Sequence, residues 1–116
     1  MDEYWIYLIP VAAIGYLLWS RRSASVTDVK ALLERGAQIV DVRSKAEFSA
    51  GSHPKSINIP ADQLERRAKE LDPVRPVLLC CESGSRSAFA TGILKRQGFR
   101  DVHNLGSWRR IQSFFA

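Results

Sequence analysis

The residues that could do chemistry in this chain are gathered in one short stretch, CCESGSRS, from Cys80 to Ser87, which holds both cysteines together with a glycine, an arginine and three serines. Adjacent cysteines serve as a redox pair, as half of a metal site, as two residues of a buried strand, or as a nucleophile with a bystander in front of it. A redox pair would have to close a strained vicinal ring, since consecutive Cα atoms stand only about 3.8 Å apart. A metal site has no further ligands at zinc spacing, because the two histidines, His53 and His103, stand alone. The sequence therefore calls for no metal and no cofactor, and nothing in it asks for an oxidising compartment. Strand core or nucleophile is the remaining choice, and it depends on the elements that hold the stretch.

Those elements alternate. Ser25-Val-Thr-Asp28 has the form of a helix start, and Val29, Leu32 and Leu33 recur at helical spacing until Gly36. Ala37 to Val42 is an apolar, β-branched run that predicts a buried strand, and Ser56 to Ile59 predicts a second before Pro60. A charged helix follows over Ala61 to Leu71, with Leu64, Ala68 and Leu71 on one face. Val77 to Cys81 is a third strand, Ser85 to Gln97 a helix ended by Gly98, and Asp101 to Leu105 a further strand. In the last residues, Ser107 to Phe115, Trp108, Ile111 and Phe115 share a helical face. This order is that of an α/β fold, a parallel sheet covered by helices on both faces, whose ligand crevice lies beyond the carboxyl ends of the strands.

Cys81 ends the most hydrophobic strand, and its loop opens directly into a helix. Strand alternation turns Cys80 into the core and Cys81 the other way, at the lip of the loop. Glu82, Ser83, Gly84, Ser85 and Arg86 then form an arc of little bulk whose N–H groups lead into a helix N-terminus. Such an arc stabilises a thiolate without a histidine base and holds an anionic substrate. The bland alternative is a buried Cys-Cys pair followed by a loop and a helix cap. The strand-to-helix junction favours the functional reading.

Several motifs together carry a resemblance. IVDVRSKAEFSAG, Ile39 to Gly51, the INIP of Ile57 to Pro60, CESGSR from Cys81 to Arg86, and the LGSW of Leu105 to Trp108 are similar to those of single-domain rhodaneses, thiosulfate-type sulfurtransferases. The resemblance runs from about Ser25 to the end. It implies a rhodanese-like parallel five-stranded sheet flanked by helices, with Cys81 as the nucleophile that carries a persulfide. It also implies Glu82 to Arg86 as the substrate cradle, and Asp41 and Arg43 as structural support through ion pairing. The implied reaction moves a sulfane sulfur from a small donor anion such as thiosulfate to a thiol or cyanide, by covalent ping-pong catalysis. Arg86 would either fork onto the donor or brace the loop. The departures are Ser52 and His53, which displace a customary histidine by one place, Lys55 in place of a common glycine, a single glycine at Gly106, and Glu82, whose charge beside the nucleophile repels an anionic donor. A phosphatase or arsenate reductase would resemble C-x5-R, whereas four residues separate Cys81 from Arg86. A non-catalytic or sulfur-carrier module on the same fold is the rival of another class.

The N-terminus is of different material. Tyr4 to Trp19 carries no charge, follows Asp2-Glu3, precedes Arg21-Arg22, and has aromatic residues at both ends. As a helix it would span roughly 24 Å against a hydrocarbon core of ~30 Å, and the acidic flank before it is the wrong polarity for a cleaved signal peptide. The sequence thus predicts residues 1–22 as a transmembrane anchor in contact with the bilayer through 4–19, and 23–116 as the catalytic domain. The arginines after the run place that domain on the cytoplasmic side of the inner membrane. Without the first nineteen residues two acids and no base are lost from a net charge of +5, leaving +7 on the remainder. That charge suits anionic headgroups. The bases are scattered rather than grouped with stacking aromatics, so no nucleic-acid partner is expected.

Overall fold

The computed structural model describes residues 25–115 together with Val11, Ala13 and Ile14. The predicted anchor, 1–22, lies outside the described residues but for those three, which are helical. Among the described residues no helix is long and apolar enough to cross a membrane.

The chain enters α1 (Val26–Glu34) with Ser25 as N-cap, its hydroxyl accepting from the Asp28 N–H at 3.2 Å. Strand β1 (Gln38–Asp41) follows, then α2 (Lys45–Ala50), β2 (Ile57–Asn58), and α3 (Leu64–Arg67) between two 3-10 turns, Ala61–Gln63 and Ala68–Glu70. Strand β3 (Val77–Cys81) leads into α4 (Ser85–Arg96), and β4 (Val102–Ser107) into a 3-10 helix, Trp108–Phe114. The strands lie in the order β2-β1-β3-β4, all parallel. The resemblance implied five strands; the sheet of the described residues has four, with β2 and β4 at its edges.

Central strand β3 is buried along its whole length and feeds both layers. Val77, Leu79 and Cys81 pack with Leu64, Ala90, Ile93 and Leu94 beneath α3 and α4. Leu78 and Cys80 face the other way, with Val29 and Leu32 of α1 and Ile111 of the C-terminal helix. Each large aliphatic side chain so buried contributes about 1.5–3 kcal/mol against conformational entropy. The adjacent cysteines therefore belong to opposite faces of the sheet. A bulge in β4 completes the positioning: Leu79 pairs with Asn104 but Cys80 with Gly106, so Leu105 is the extra residue, and Asn104 is set beneath the loop that follows β3.

Candidate active site

The loop from Cys81 to Gly84 turns at Gly84, whose φ of +101° is in the left-handed region. An added Cβ there would stand 3.3 Å from Gly106 Cα and 3.7 Å from the Asn104 amide nitrogen, so glycine is required twice over, by conformation and by space. The turn brings the Gly84 N–H to Cys81 Sγ at 3.0 Å. The Ser87 hydroxyl lies 3.4 Å from the same sulfur. Burial pushes the Cys81 thiol up, but the Ser87 hydroxyl and the N–H groups of Ser87, Gly84 and Ser83 outweigh it and hold the thiol below its ordinary value. On the opposite face Cys80 meets no such donors among the described residues; burial first, and then the charge of Asp41, push its thiol far up. The two thiols are thus shifted in opposite directions, Cys81 towards easier ionisation and Cys80 away from it.

Cys81 does not stand at the lip of the loop as strand alternation suggested. Both cysteines are 0% exposed, because the arc of the loop and the first turn of α4 close over the sulfur. Cys81 Sγ lies at the bottom of the arc rather than on its rim.

Two ion-paired walls flank the cradle. Arg86 forks onto Glu47 of α2 at 2.6 and 2.9 Å, which holds the Glu47 carboxyl down to about 2. The guanidinium that the resemblance assigned either to donor or to brace is thus engaged as a brace between α4 and α2. Glu47 is itself fixed by a capping box with Ser44 at the start of α2. The second wall is built on Glu82, paired with Arg109, accepting from Trp108 Nε1 at 3.1 Å, and 3.9 Å from Arg43 Nη1. Arg109 first, then Trp108, holds its carboxyl below the usual range. The carboxylate next to Cys81 in sequence is therefore held by cations and an indole N–H. Ser83 and Ser85 approach each other on the exposed side of the arc, hydroxyl to hydroxyl at 3.4 Å.

Asp41 and Arg43 lie behind this wall at the end of β1 and are almost wholly buried. Arg43 donates to Asp41 through Nε at 3.0 Å and Nη2 at 2.7 Å, reaches the Gly51 carbonyl at 2.7 Å, and lies 4.4 Å over the Trp108 ring. It ties β1, the end of α2 and the C-terminal helix together.

Sequence reasoning passed over Ser87, Asn104, Trp108 and Arg109 as site residues. Ser87 sits in the first turn of α4, where a hydroxyl reaches back over the N-terminus, and that position was the available signal. Its Oγ, with one proton to share, lies 2.6 Å from Asn104 Oδ1, 3.1 Å from the Gly84 carbonyl and 3.4 Å from Cys81 Sγ, while Asn104 Nδ2 donates to the same carbonyl at 3.0 Å. Ser87→Ala is a clean test, since Gly84 keeps Asn104 and Asn104 keeps the Gly106 N–H at 2.9 Å. With one donor to the thiolate removed, the midpoint of the pH dependence of Cys81 alkylation by iodoacetamide should move to higher pH. An unmoved profile would mean that the backbone donors alone set the ionisation.

Comparison with known proteins places this geometry. Residues 25–113 match the rhodanese-like domain. Thiosulfate sulfurtransferase GlpE of Pseudomonas fluorescens is 40% identical over 81 residues, which cover 66% of this chain and 70% of that protein. The putative sulfur carrier protein YrkF of Bacillus subtilis is 35% identical over 72 residues, 62% of this chain. This chain spans 39% of YrkF and 56% of a second Bacillus subtilis relative, less than two thirds of either. Among solved structures, the rhodanese-related protein of Thermoplasma volcanium superposes with a TM-score of 0.63 at 32% identity, over 80% of this chain and 89% of that one.

Proposed function

Because the chain belongs to the rhodanese-like domain family, we propose that it is a sulfurtransferase in which Cys81 carries the sulfur between donor and acceptor. The observation that supports this most is the donor set around Cys81 Sγ, with the Gly84 N–H at 3.0 Å and the Ser87 hydroxyl at 3.4 Å. A thiolate held in this way attacks the outer sulfur of a sulfane donor such as thiosulfate. The new S–S bond leaves a persulfide on Cys81, and sulfite departs with the electron pair of the bond that breaks. A thiol or cyanide then takes the outer sulfur and returns Cys81 to the thiolate. The loop N–H groups, aimed at the sulfur before reaction, stabilise the negative charge in both half-reactions. Arg86, held by Glu47, keeps the arc in shape. Asp41 and Arg43 support it from behind. Thiocyanate formation from thiosulfate and cyanide tests the reading: parallel double-reciprocal lines at varied cyanide are expected for a ping-pong cycle, and lines that intersect would contradict a covalent intermediate.

The same proposal extends to the N-terminus. The uncharged run from Tyr4 to Trp19, flanked by Asp2-Glu3 before and Arg21-Arg22 after it, favours residues 1–22 as a single-pass anchor with the catalytic domain in the cytoplasm. Val11 and Ile14, helical and 66% and 57% exposed, present apolar surface consistent with a lipid-facing helix. Carbonate extraction should leave the full-length chain in the membrane fraction, and protease added outside spheroplasts should spare the domain. Release by carbonate, or digestion of the domain, would remove the anchor from the account.

A further inference from the structure

Beside the cradle, the turn that follows α2 and the C-terminal helix enclose a cavity of about 760 Å³. It shares a wall with the site, since its lining residues Trp108 and Arg109 are the two that hold Glu82, the neighbour of Cys81. The rest of its working lining comes from His53, Lys55, Gln112 and Phe115. These include two of the positions where the sequence departs from the rhodanese pattern, His53 and Lys55. Volume of this order suits a small organic ligand.

Its chemistry is one-sided. Among the described residues no carboxylate lines it. The Lys55 ammonium has no carboxylate partner among the described residues and lies 5.8 Å from the Phe115 ring. Arg109 gives one arm to Glu82 and stacks 4.9 Å from the Trp108 ring, with more than half of its side chain exposed. His53 Nδ1 accepts from the Lys55 N–H at 3.1 Å, which in the neutral ring leaves the proton on Nε2 as a donor. The pocket offers cations and donors between two aromatic walls, and Trp108 and Arg109 join it to Glu82, the residue that follows Cys81.

Resting on the sulfurtransferase reading, we infer that this cavity is the acceptor subsite and takes a small thiol that carries carboxylates. Lys55 and Arg109 hold the carboxylates, and the aromatic walls cover the aliphatic part. The thiol is thereby brought to the Cys81 persulfide, where its sulfur bonds to the outer sulfur. The bond between that sulfur and Cys81 Sγ breaks, its electron pair stays on Cys81 as a thiolate, and the thiol proton passes to the departing persulfide. No oxidant or reductant is consumed.

The test uses the full-length chain with thiosulfate as donor and two acceptors, glutathione, which carries two carboxylates, and 2-mercaptoethanol, which is neutral. Lys55→Glu should lower kcat/KM for glutathione about tenfold through KM, as expected when a near charge is reversed, and should affect 2-mercaptoethanol about twofold at most. Lys95→Glu makes the same charge change on the exposed last turn of α4 and should alter neither. Calorimetry with S-methylglutathione, which cannot accept sulfur, should detect binding that Lys55→Glu weakens. This readout needs no sulfur transfer, so binding in a chain that fails to transfer sulfur would overturn the proposed function and leave the subsite standing. Absence of binding, equal losses for both thiols, or a loss confined to the KM for thiosulfate would overturn the subsite.

Discussion

Replacing Cys81 with serine should abolish transfer of sulfur from thiosulfate to cyanide, a fall on the order of 10⁴-fold or more, to the uncatalysed background. Cys80→Ala should keep most of the activity and lower stability by about 1 kcal/mol through the small cavity it leaves. The contrast follows from strand geometry. The two sulfurs are one residue apart, yet Cys81 faces the donors of the loop, whereas Cys80 packs with Leu78, Val29 and Leu32 in the other layer. Their ionisation diverges for the same reason, one thiol being held below its ordinary value and the other pushed above it by burial. Equal loss in both variants, with folding intact, would show that the cysteines act as a dithiol.

The second large effect is on stability. Asp41→Ala should destabilise the domain by about 3–5 kcal/mol, because it leaves the Arg43 guanidinium buried without its counter-charge. Arg43 is only 3% exposed, and Asp41 receives its backbone N–H at 3.0 Å as well as its Nε and Nη2. Of the partners that remain, the carbonyls of Gly51 and Glu47 carry no net charge, and the Glu82 carboxylate stands 3.9 Å away and is already paired with Arg109. Against total stabilities of about 5–15 kcal/mol the loss is large. Urea denaturation of residues 20–116 and of the variant measures it. A change below about 1 kcal/mol would mean that water reaches Arg43 and that the pair behaves as a surface one.

The layered fold was legible because its signals are local. Apolar runs such as Val77 to Cys81 and Ile39 to Val42 read as buried strands, and period two assigned the cysteines to opposite faces before any partner was known. The cap at Ser25 was visible in the same way. What was not legible depended on weak periodicity or on distance. The six-residue α2 buries no side chain, so no hydrophobic period marks it, and only its capping box at Ser44 and Glu47 announces it. The single helix expected over Ala61 to Leu71 breaks into 3-10, α and 3-10 turns, and the C-terminal helix is 3-10. These are choices of hydrogen-bond register that the burial of Leu64, Ala68 and Ile111 does not dictate.

Within the site, the cradle was readable from glycine and serine after a strand, but its braces were not. Arg86 meets Glu47 across 39 residues, Arg109 meets Glu82 across 27, and Ser87 meets Asn104 across 17. Nothing in a linear pattern pairs such residues; the order β2-β1-β3-β4 does, by bringing the ends of β1, β3 and β4 together. For the same reason the expectation that Glu82 repels an anionic donor missed the cations that hold it. The depth of Cys81 also escaped the strand pattern, which gives the face of a side chain and not what closes over it.

The account rests on sulfur carried covalently by Cys81, and intact-mass spectrometry measures that carriage directly. After incubation with thiosulfate and removal of excess donor, the protein should gain the mass of one sulfur atom, lose it on addition of cyanide with release of thiocyanate, and show no gain in Cys81→Ser. An unchanged mass after thiosulfate, or a gained sulfur that persists in Cys81→Ser, would contradict it.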